Sequence, residues 1–396
     1  MKNKYLLVMS IFLIGCNKQN VNSQDTISFT ESEESSISIE SNIQSAILDE
    51  KITEINFQND YLENEYVKFI GKTYFENSKG VVLTQSNTYF EISFIGSYLK
   101  ASISASSNAY ISIFLDDNKN PYEATKIQLN NLTTNKVLLE NLENKKHTVK
   151  VFKINEANYN SVYLSGINTD GKFLKKDTSK KIKIEYFGDS ITCGFGAEST
   201  SSTTSLEEND ENSTLTYAFY ASLFANADFQ MTCASGWGMY AGNGGNYDAI
   251  IPPYINYCDF EKKHPWDTSL FIPDIVVINL GTNDYSTYSF GPRREKTQKE
   301  FLINFENSYT IFINNIHRTY GNDVPILMLS DMMFMDENIS KAIANVASKN
   351  KNCYHIKSKS ASVGGNLVAY HPNYQMNVEA GNELIAYFEF LLGEIC

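Results

Sequence analysis

The chain is short of positive charge, clustered metal ligands and paired cysteine motifs. Its 396 residues carry 33 Lys and Arg against 46 Asp and Glu, a formal net charge of -13. A nucleic-acid partner calls for a basic face, so this balance argues against one. No C-x-x-C pair and no H-E-x-x-H run occurs. Neither a zinc ribbon, a thioredoxin-type motif nor a zinc deacetylase is supported, and no metal or other cofactor is expected. Beyond Cys16 stand five cysteines, Cys193, Cys233, Cys258, Cys353 and Cys396, with no repeated spacing. The apolar run at residues 5–14 falls short of the ~20 residues that span a bilayer. Aromatic residues, by contrast, are plentiful: 25 tyrosines and 24 phenylalanines, enough for core and sheet packing with some left over for a sugar-stacking surface.

The N-terminus "MKNKYLLVMSIFLIGC" has a basic start followed by an apolar stretch, the pattern of a secretory signal. Its end, Leu13-Ile14-Gly15-Cys16, resembles the lipobox of bacterial lipoproteins. That resemblance implies a lipidated Cys16 and places the protein in the bacterial cell envelope, on the cell surface or in the periplasm. Contact with the membrane would be through the anchor only. Residues 17–50 are dominated by Ser, Glu, Asn and Gln with isolated isoleucines. Such a segment buries too little apolar surface to offset its ordering entropy, so it reads as a flexible tether.

Two textures follow. Residues 51–175 hold short alternating runs such as "TYFEISFIG", "AYISIFLDD" and "HTVKVFKIN", separated by Asn, Gly, Ser and Asp. Seven or eight strands without a helical period predict an all-β sandwich or jelly roll. His147 is expected at its surface. Residues 180–396 instead alternate strand-like runs ("IKIEYFG", "ADFQMTCAS", "PDIVVINLG", "VPILMLSD") with helical stretches ("LTYAFYASLFAN", "EKTQKEFLINFENSYTIFINNIHRTYG", "NVEAGNELIAYFEFLLGEI"). The nearly continuous apolar strands predict a parallel sheet buried on both faces, a three-layer α/β/α domain. Sites in such sheets form outside the carboxyl ends of the strands.

Three strand ends carry chemistry: Gly188-Asp189-Ser190, Ser235-Gly236-Trp237-Gly238 and Gly281-Thr282-Asn283-Asp284. Ahead of the last helix, "AYHPN" supplies His371. Ser190 is either a helix N-cap or a nucleophile. As a nucleophile it needs a base, and His371 is the histidine best placed to serve. Acyl transfer also needs donors for the oxyanion, and Ser190 N–H, Gly236 N–H and the Asn283 amide would supply three. Asp189 and Asp284 are expected to brace the loops through their backbone. His264, His317 and His355 are expected to be surface or satisfied polar groups. Trp237, Tyr240, Trp266, Tyr285 and Tyr370 are the aromatic residues near these segments.

Two other patterns lead elsewhere. Thr192 stands where the second glycine of a G-x-S-x-G elbow would be. The run from Gly236 to Ala241 fits G-x-G-x-x-A, but a glycine-rich loop follows it rather than a helix start.

Taken in order, "FGDSITCGFG", "SGWG", "LGTND" and "HP" resemble the four blocks of the SGNH hydrolases, the GDSL-like lipases and esterases. The similarity is nearest to carbohydrate esterase family two, in "GDSITCGFG", in "PWDTSLFIPDIVVINLGTNDY" and in the β domain ahead of the catalytic one. It runs from about Val67 to the end. It implies Ser190 as nucleophile, His371 as base, and Ser190, Gly236 and Asn283 at the oxyanion hole. The broader superfamily has an aspartate three residues before the histidine; here that position is Val368, and the family often works with a Ser–His dyad. The resemblance implies removal of O-acetyl groups from a polysaccharide such as xylan or glucomannan. The alternative is a glycan-binding surface lipoprotein that keeps the scaffold without turnover.

Overall fold

In the first domain the alternating runs pair as antiparallel strands whose side chains separate into an inner and an outer face. In the computed structural model, residues 51–132, 135–199, 210–362 and 370–393 are described. Cys16, the expected tether, Val368 and Cys396 lie outside them.

One sheet holds β1 (Glu54–Asn56), β3 (Thr73–Glu76), β4 (Gly80–Leu83), β6 (Leu99–Ala105), β9 (Lys136–Leu139) and β11 (Val162–Thr169). The other holds β2 (Val67–Ile70), β5 (Tyr89–Gly96), β7 (Ala109–Leu115), β8 (Thr125–Leu129), β10 (Lys145–Lys153) and β12 (Lys172–Leu174). Strand β6 shows the two-residue period plainly: Leu99, Ala101, Ile103 and Ala105 are buried while the residues between are half-buried. They meet Phe90, Ile92 and Phe94 of β5 in one core between the sheets. The described residues of this domain thus contain twelve strands rather than seven or eight. The extra ones are short pieces of three or four residues, too brief to show an alternation.

The second domain is a five-stranded, all-parallel sheet in the order β14-β13-β15-β16-β17. The strands are β13 (Lys183–Gly188), β14 (Asp228–Cys233), β15 (Ile275–Asn279), β16 (Ile326–Ser330) and β17 (Cys353–Lys357). The helices are α1 (Ser190–Cys193), α2 (Tyr217–Phe224), α3 (Thr282–Ser289), α4 (Gln298–Tyr320), α5 (Glu337–Lys349) and α6 (Tyr374–Leu392). Alternate residues of one strand feed different cores. Ile275 and Val277 pack with α2 and α6, whereas Val276 and Ile278 pack with α4 and α5. That division makes the three layers, and it explains why these strands read as unbroken apolar runs.

The outer face of the second sandwich sheet is covered by the α/β domain. Tyr89, Phe114 and Phe152 pack at tilted or edge-on angles against Phe219 of α2 and Phe229 of β14, with ring centroids 5.2–5.7 Å apart at the Phe114–Phe219, Phe152–Phe219 and Tyr89–Phe229 contacts. Each buried aromatic removes roughly 150–250 Å² from water.

A charged group crosses the same boundary. Lys72, fully buried in the sandwich's β2–β3 turn, extends its ammonium to Thr232 Oγ1 at 2.8 Å and to the carbonyls of Tyr254 and Ile255 at 3.0 Å each. Its counter-charge is Glu185 of β13, at 3.6 Å and equally buried. Burial lowers the Lys72 pKa and raises that of Glu185, each opposed by the other's charge. Removing one partner of a buried pair leaves the other uncompensated, at a cost of roughly 3–5 kcal/mol. Lys72→Met is therefore expected to lower unfolding stability by about that amount in urea titrations. A loss below about 1 kcal/mol would show that the pair is not what joins the domains here.

Candidate active site

The strand β13 ends on Gly188 because the chain must fold back at once. A Cβ there would lie 1.9 Å from Thr192 Oγ1. The next residue, Asp189, is the N-cap of α1: its Oδ1 accepts from Ile191 N–H at 3.0 Å. Ser190 is therefore not the cap but the first residue inside the helix, where an N–H has no intrahelical acceptor. The turn closes at Gly194, left-handed at φ 83°, whose N–H donates to Ser190 O.

His371 arrives from the other end of the domain. Asn373 caps α6 by accepting from Met376 N–H at 2.9 Å, and His371 stands two residues before that cap. Its Nε2 lies 2.7 Å from Ser190 Oγ. With the proton on Nδ1, the serine hydroxyl donates to Nε2, the geometry required of a nucleophile and its base. The Phe195 ring packs against the imidazole at 4.6 Å. Both residues are nearly buried, Ser190 at 6% and His371 at 9% exposure. Position 368, where an orienting aspartate is absent, falls outside the described residues.

The third component comes from the loop after β14 and from α3. Gly236 has φ 80°, and a Cβ there would meet nothing closer than 4.0 Å. The glycine is needed for its left-handed backbone rather than for space. Space matters at Gly238, where a Cβ would lie 2.1 Å from Ala241 O. Segment 281–284, readable as a turn, is the start of α3. Asn283 Nδ2 donates to Trp237 O at 2.8 Å and to Asp189 Oδ2 at 3.3 Å. One amide thus ties the loop after β14 to the turn that carries Ser190.

Two buried carboxylates hold those loops by their backbone. Asp284 accepts from Met239, Tyr240 and Ala241 N–H at 2.8, 2.7 and 2.9 Å. Thr287, one turn further along α3, donates to Gly242 O at 2.6 Å. Burial raises the pKa of Asp284 to about 6, against the pull of its backbone donors, and that of Asp189 to about 7.

A third carboxylate, unremarked in the sequence, comes from the sandwich. Glu156 Oε2 accepts from Ser235 N–H at 2.6 Å, next to Gly236, and from Cys193 Sγ at 3.5 Å, at the end of the nucleophile turn. Its own N–H donates to Glu211 Oε1 at 2.8 Å. Burial raises the pKa of both glutamates. Lys153 is brought down to about 8, burial again the first cause, against the charge of Glu211. Glu156, Cys193 and Glu211 place donor atoms within 4.8 Å of one another, but two carboxyls that burial presses toward the neutral form, with the buried Lys153 nearby, suit a cation poorly.

The other histidines are engaged elsewhere. His264 Nδ1 pairs with Asp259 at 2.7 Å, His317 Nε2 with Val324 O at 3.3 Å and His355 Nε2 with Ser330 Oγ at 2.9 Å. His147, expected at the surface, is only 3% exposed and bridges Asp116 and Glu143 O. Among the aromatic residues, Trp266 is buried, and Tyr240 packs against Tyr247 and Phe301. Two exposed rings had no motif to flag them: Phe290 and Phe334 flank Tyr285 at 5.7 and 5.6 Å.

The raised carboxyl pKa values set a pH dependence. Unfolded aspartates titrate near pH ~4, whereas folded Asp284 and Asp189 keep their protons to about 6 and 7. The stability this contributes is complete below about pH 4 and is lost as pH rises through 6 and 7. Thermal melts from pH 4 to 8 should show that decline, and Asp189→Asn, which cannot ionise, should flatten it. An unchanged slope in the variant would contradict the assignment.

Residues 69–176 match the family model for the carbohydrate esterase 2 N-terminal domain, and residues 184–371 match that for GDSL-like lipase/acylhydrolase. The chain is 30% identical over 259 residues to the cellulase/esterase CelE of Acetivibrio thermocellus, covering 65% of this chain and 30% of that protein. It is 30% identical over 220 residues to an acetylxylan esterase/glucomannan deacetylase of Cellvibrio japonicus, covering 52% of this chain and 59% of that one. It thus spans less than two thirds of either relative. A solved family two carbohydrate esterase from Clostridium thermocellum, in complex with cellohexaose, superposes with a TM-score of 0.74 at 26% identity. That match covers 83% of this chain and 99% of that one. With an antiparallel sandwich followed by a parallel-sheet α/β domain, the chain thus carries a carbohydrate esterase 2 N-terminal domain ahead of a GDSL-like, or SGNH, hydrolase domain, and as a whole is similar to the family two carbohydrate esterases.

Proposed function

We propose that the protein is a carbohydrate esterase that removes O-acetyl groups from a polysaccharide of the xylan or glucomannan type. The observation that carries this reading is the 2.7 Å contact between Ser190 Oγ and His371 Nε2, set beside Gly236 and Asn283 at the carboxyl ends of parallel strands. His371 takes the hydroxyl proton as Ser190 attacks the acetyl carbonyl. The oxyanion rests on Ser190 N–H, Gly236 N–H and the Asn283 amide. The long bond from Asn283 to Asp189 is the one it displaces, while the bond to Trp237 O keeps the amide aimed. His371 then protonates the sugar oxygen as its bond to the acyl carbon breaks, and the sugar leaves with a free hydroxyl. Water, deprotonated by the same imidazole, attacks the acyl-serine and releases acetate. Each oxyanion donor is worth about 10²–10³ in rate.

The polysaccharide reading draws on the names of the relatives and on the exposed rings near the site. Phe334 and Phe290 are 77% and 78% exposed, and Tyr370, 75% exposed, directly precedes His371. Single exposed rings are ordinary; Tyr370 beside His371, and two rings flanking Tyr285 two residues after Asn283, suit the apolar faces of a sugar chain. Export and anchoring through Cys16 belong to the same proposal and rest on the N-terminal sequence.

The test is acetate release from 4-nitrophenyl acetate and acetylated xylan by the chain from residue 51, beside Ser190→Ala and His371→Ala. Each variant should lose at least ~10³-fold in kcat. An inert wild type that still binds glycan would replace this reading with the non-catalytic one. Phe334→Ala should raise KM for acetylated xylan several-fold while leaving 4-nitrophenyl acetate turnover alone. Equal effects on both substrates would remove the ring from the sugar platform.

A further inference from the structure

A cleft of about 560 Å³ opens where the sandwich meets the α/β domain, and the proposed deacetylation does not use it. The sandwich wall includes Tyr74 and Tyr163 with loop residues 157–161; the facing wall is Trp237 with the loop around Asp259 and His264. The cleft adjoins the oxyanion loop on both sides by chain connectivity. Trp237 follows Gly236, and residue 157 follows Glu156, whose carboxylate accepts from Ser235 N–H. The volume lies within the ~300–1,000 Å³ of small-molecule sites.

Its chemistry narrows the ligand. The charged side chains of the lining are largely matched: Glu76 pairs with Lys79 at 3.1 Å and Glu261 with Lys263, and Asp259 is hydrogen-bonded to His264 Nδ1 at 2.7 Å. His264 also stacks on Tyr74 at 3.6 Å. No sign of charge dominates, so neither a polyanion nor a polycation is attracted. What remains is ring surface and hydrogen-bonding groups. Tyr159 is 48% exposed, and Trp237 is half-buried against Phe260. Asn160, buried in the wall, donates to Asn108 O at 2.7 Å, while its Oδ1 has no partner among the described residues. Ring faces suit the C–H faces of pyranoses, and amides and paired carboxylates suit hydroxyls.

We propose that this cleft binds a neutral, unsubstituted stretch of glycan backbone, so that the sandwich itself takes part in holding the polysaccharide. The inference rests on the glycan reading above but not on turnover. The cleft takes sugar units remote from the acetylated one, and the rings around Tyr285 and Tyr370 take those at the serine.

Calorimetric titration of the Ser190→Ala chain with unacetylated xylohexaose and cellohexaose tests it, with an oligogalacturonate of the same length as the anionic control. Two substitutions report on the cleft. Tyr159→Ala removes its most open ring, and Asn158→Trp fills it while deleting little. Each should weaken neutral hexasaccharide binding by about 2- to 13-fold, the span of one aromatic contact. In the Ser190 background, Asn158→Trp should raise KM for acetylated hexasaccharide and leave 4-nitrophenyl acetate hydrolysis unchanged. Neutral binding that both variants leave intact overturns the cleft while the esterase reading survives. Tighter binding of the galacturonate overturns the neutral-ligand argument. An enzyme that releases acetate from 4-nitrophenyl acetate yet binds no hexasaccharide overturns the cleft and the polysaccharide together. If no acetate is released but hexasaccharide binding still falls in the variants, only the esterase reading is lost.

Discussion

A carboxylate buried away from solvent must find donors within the protein, and around Ser190 three of them find backbone N–H groups of the loops after β13 and β14. Asp284 gathers three N–H groups of the loop after β14. Asp189 caps the nucleophile turn and receives the Asn283 amide. Glu156 takes the N–H of Ser235, next to Gly236, and the Cys193 thiol that ends the turn carrying Ser190. Loop backbone is otherwise the most mobile part of a domain. Here each loop is tied to a side chain on a rigid element or on the facing domain, which preorganises the donors before any substrate arrives. The cost shows in the pKa values, since burial presses all three toward the neutral form.

The fold and the site were legible in the sequence to different depths. The four strands with apolar runs declared themselves because burial on both faces leaves a continuous signal; helices α2, α4 and α6 were read beside them, whereas the 13-residue α5 was not. Strand β17 did not: it is an edge strand, half-buried along most of its length, and "CYHIK" carries no such run. Helix α3 hid because Gly-Thr-Asn-Asp is equally good turn chemistry, and only its packing against the loop at 236–246 decides for a helix.

At the site, the residues with motif signatures could be found, and the residues that position them could not. Nothing in "FKINEANY" distinguishes Glu156 from any loop glutamate. Its significance is a contact across 79 residues of sequence. Lys72, in "IGKTYF", looks like a turn lysine until Glu185 is placed opposite it. Phe290 and Phe334 are unremarkable in a chain with 24 phenylalanines. His147 went astray for the same reason: a polar flank in sequence became an interior bridge once Asp116 and the Glu143 carbonyl closed over it.

These contacts bear on why a β domain precedes the α/β domain at all. A sandwich that merely carried the other domain would meet it through a small, polar interface of the kind that lets domains move. Here the boundary joins an aromatic patch, built on Tyr89, Phe114, Phe152, Phe219 and Phe229, to the buried Lys72–Glu185 pair, the Lys68–Asp228 pair and buried hydrogen bonds such as Asn87 Nδ2 to Ser213 O at 2.9 Å. Such an interface resembles a core rather than a hinge. Through Glu156 it also reaches the residue before Gly236, so displacement of the sandwich would be felt at the oxyanion loop. Without the sandwich, Glu185 would lose its counter-charge, Ser235 its acceptor, and the α2–β14 face its cover. On this accounting the α/β domain is not a separable catalyst: the sandwich supplies part of its core and part of the scaffold of its active site.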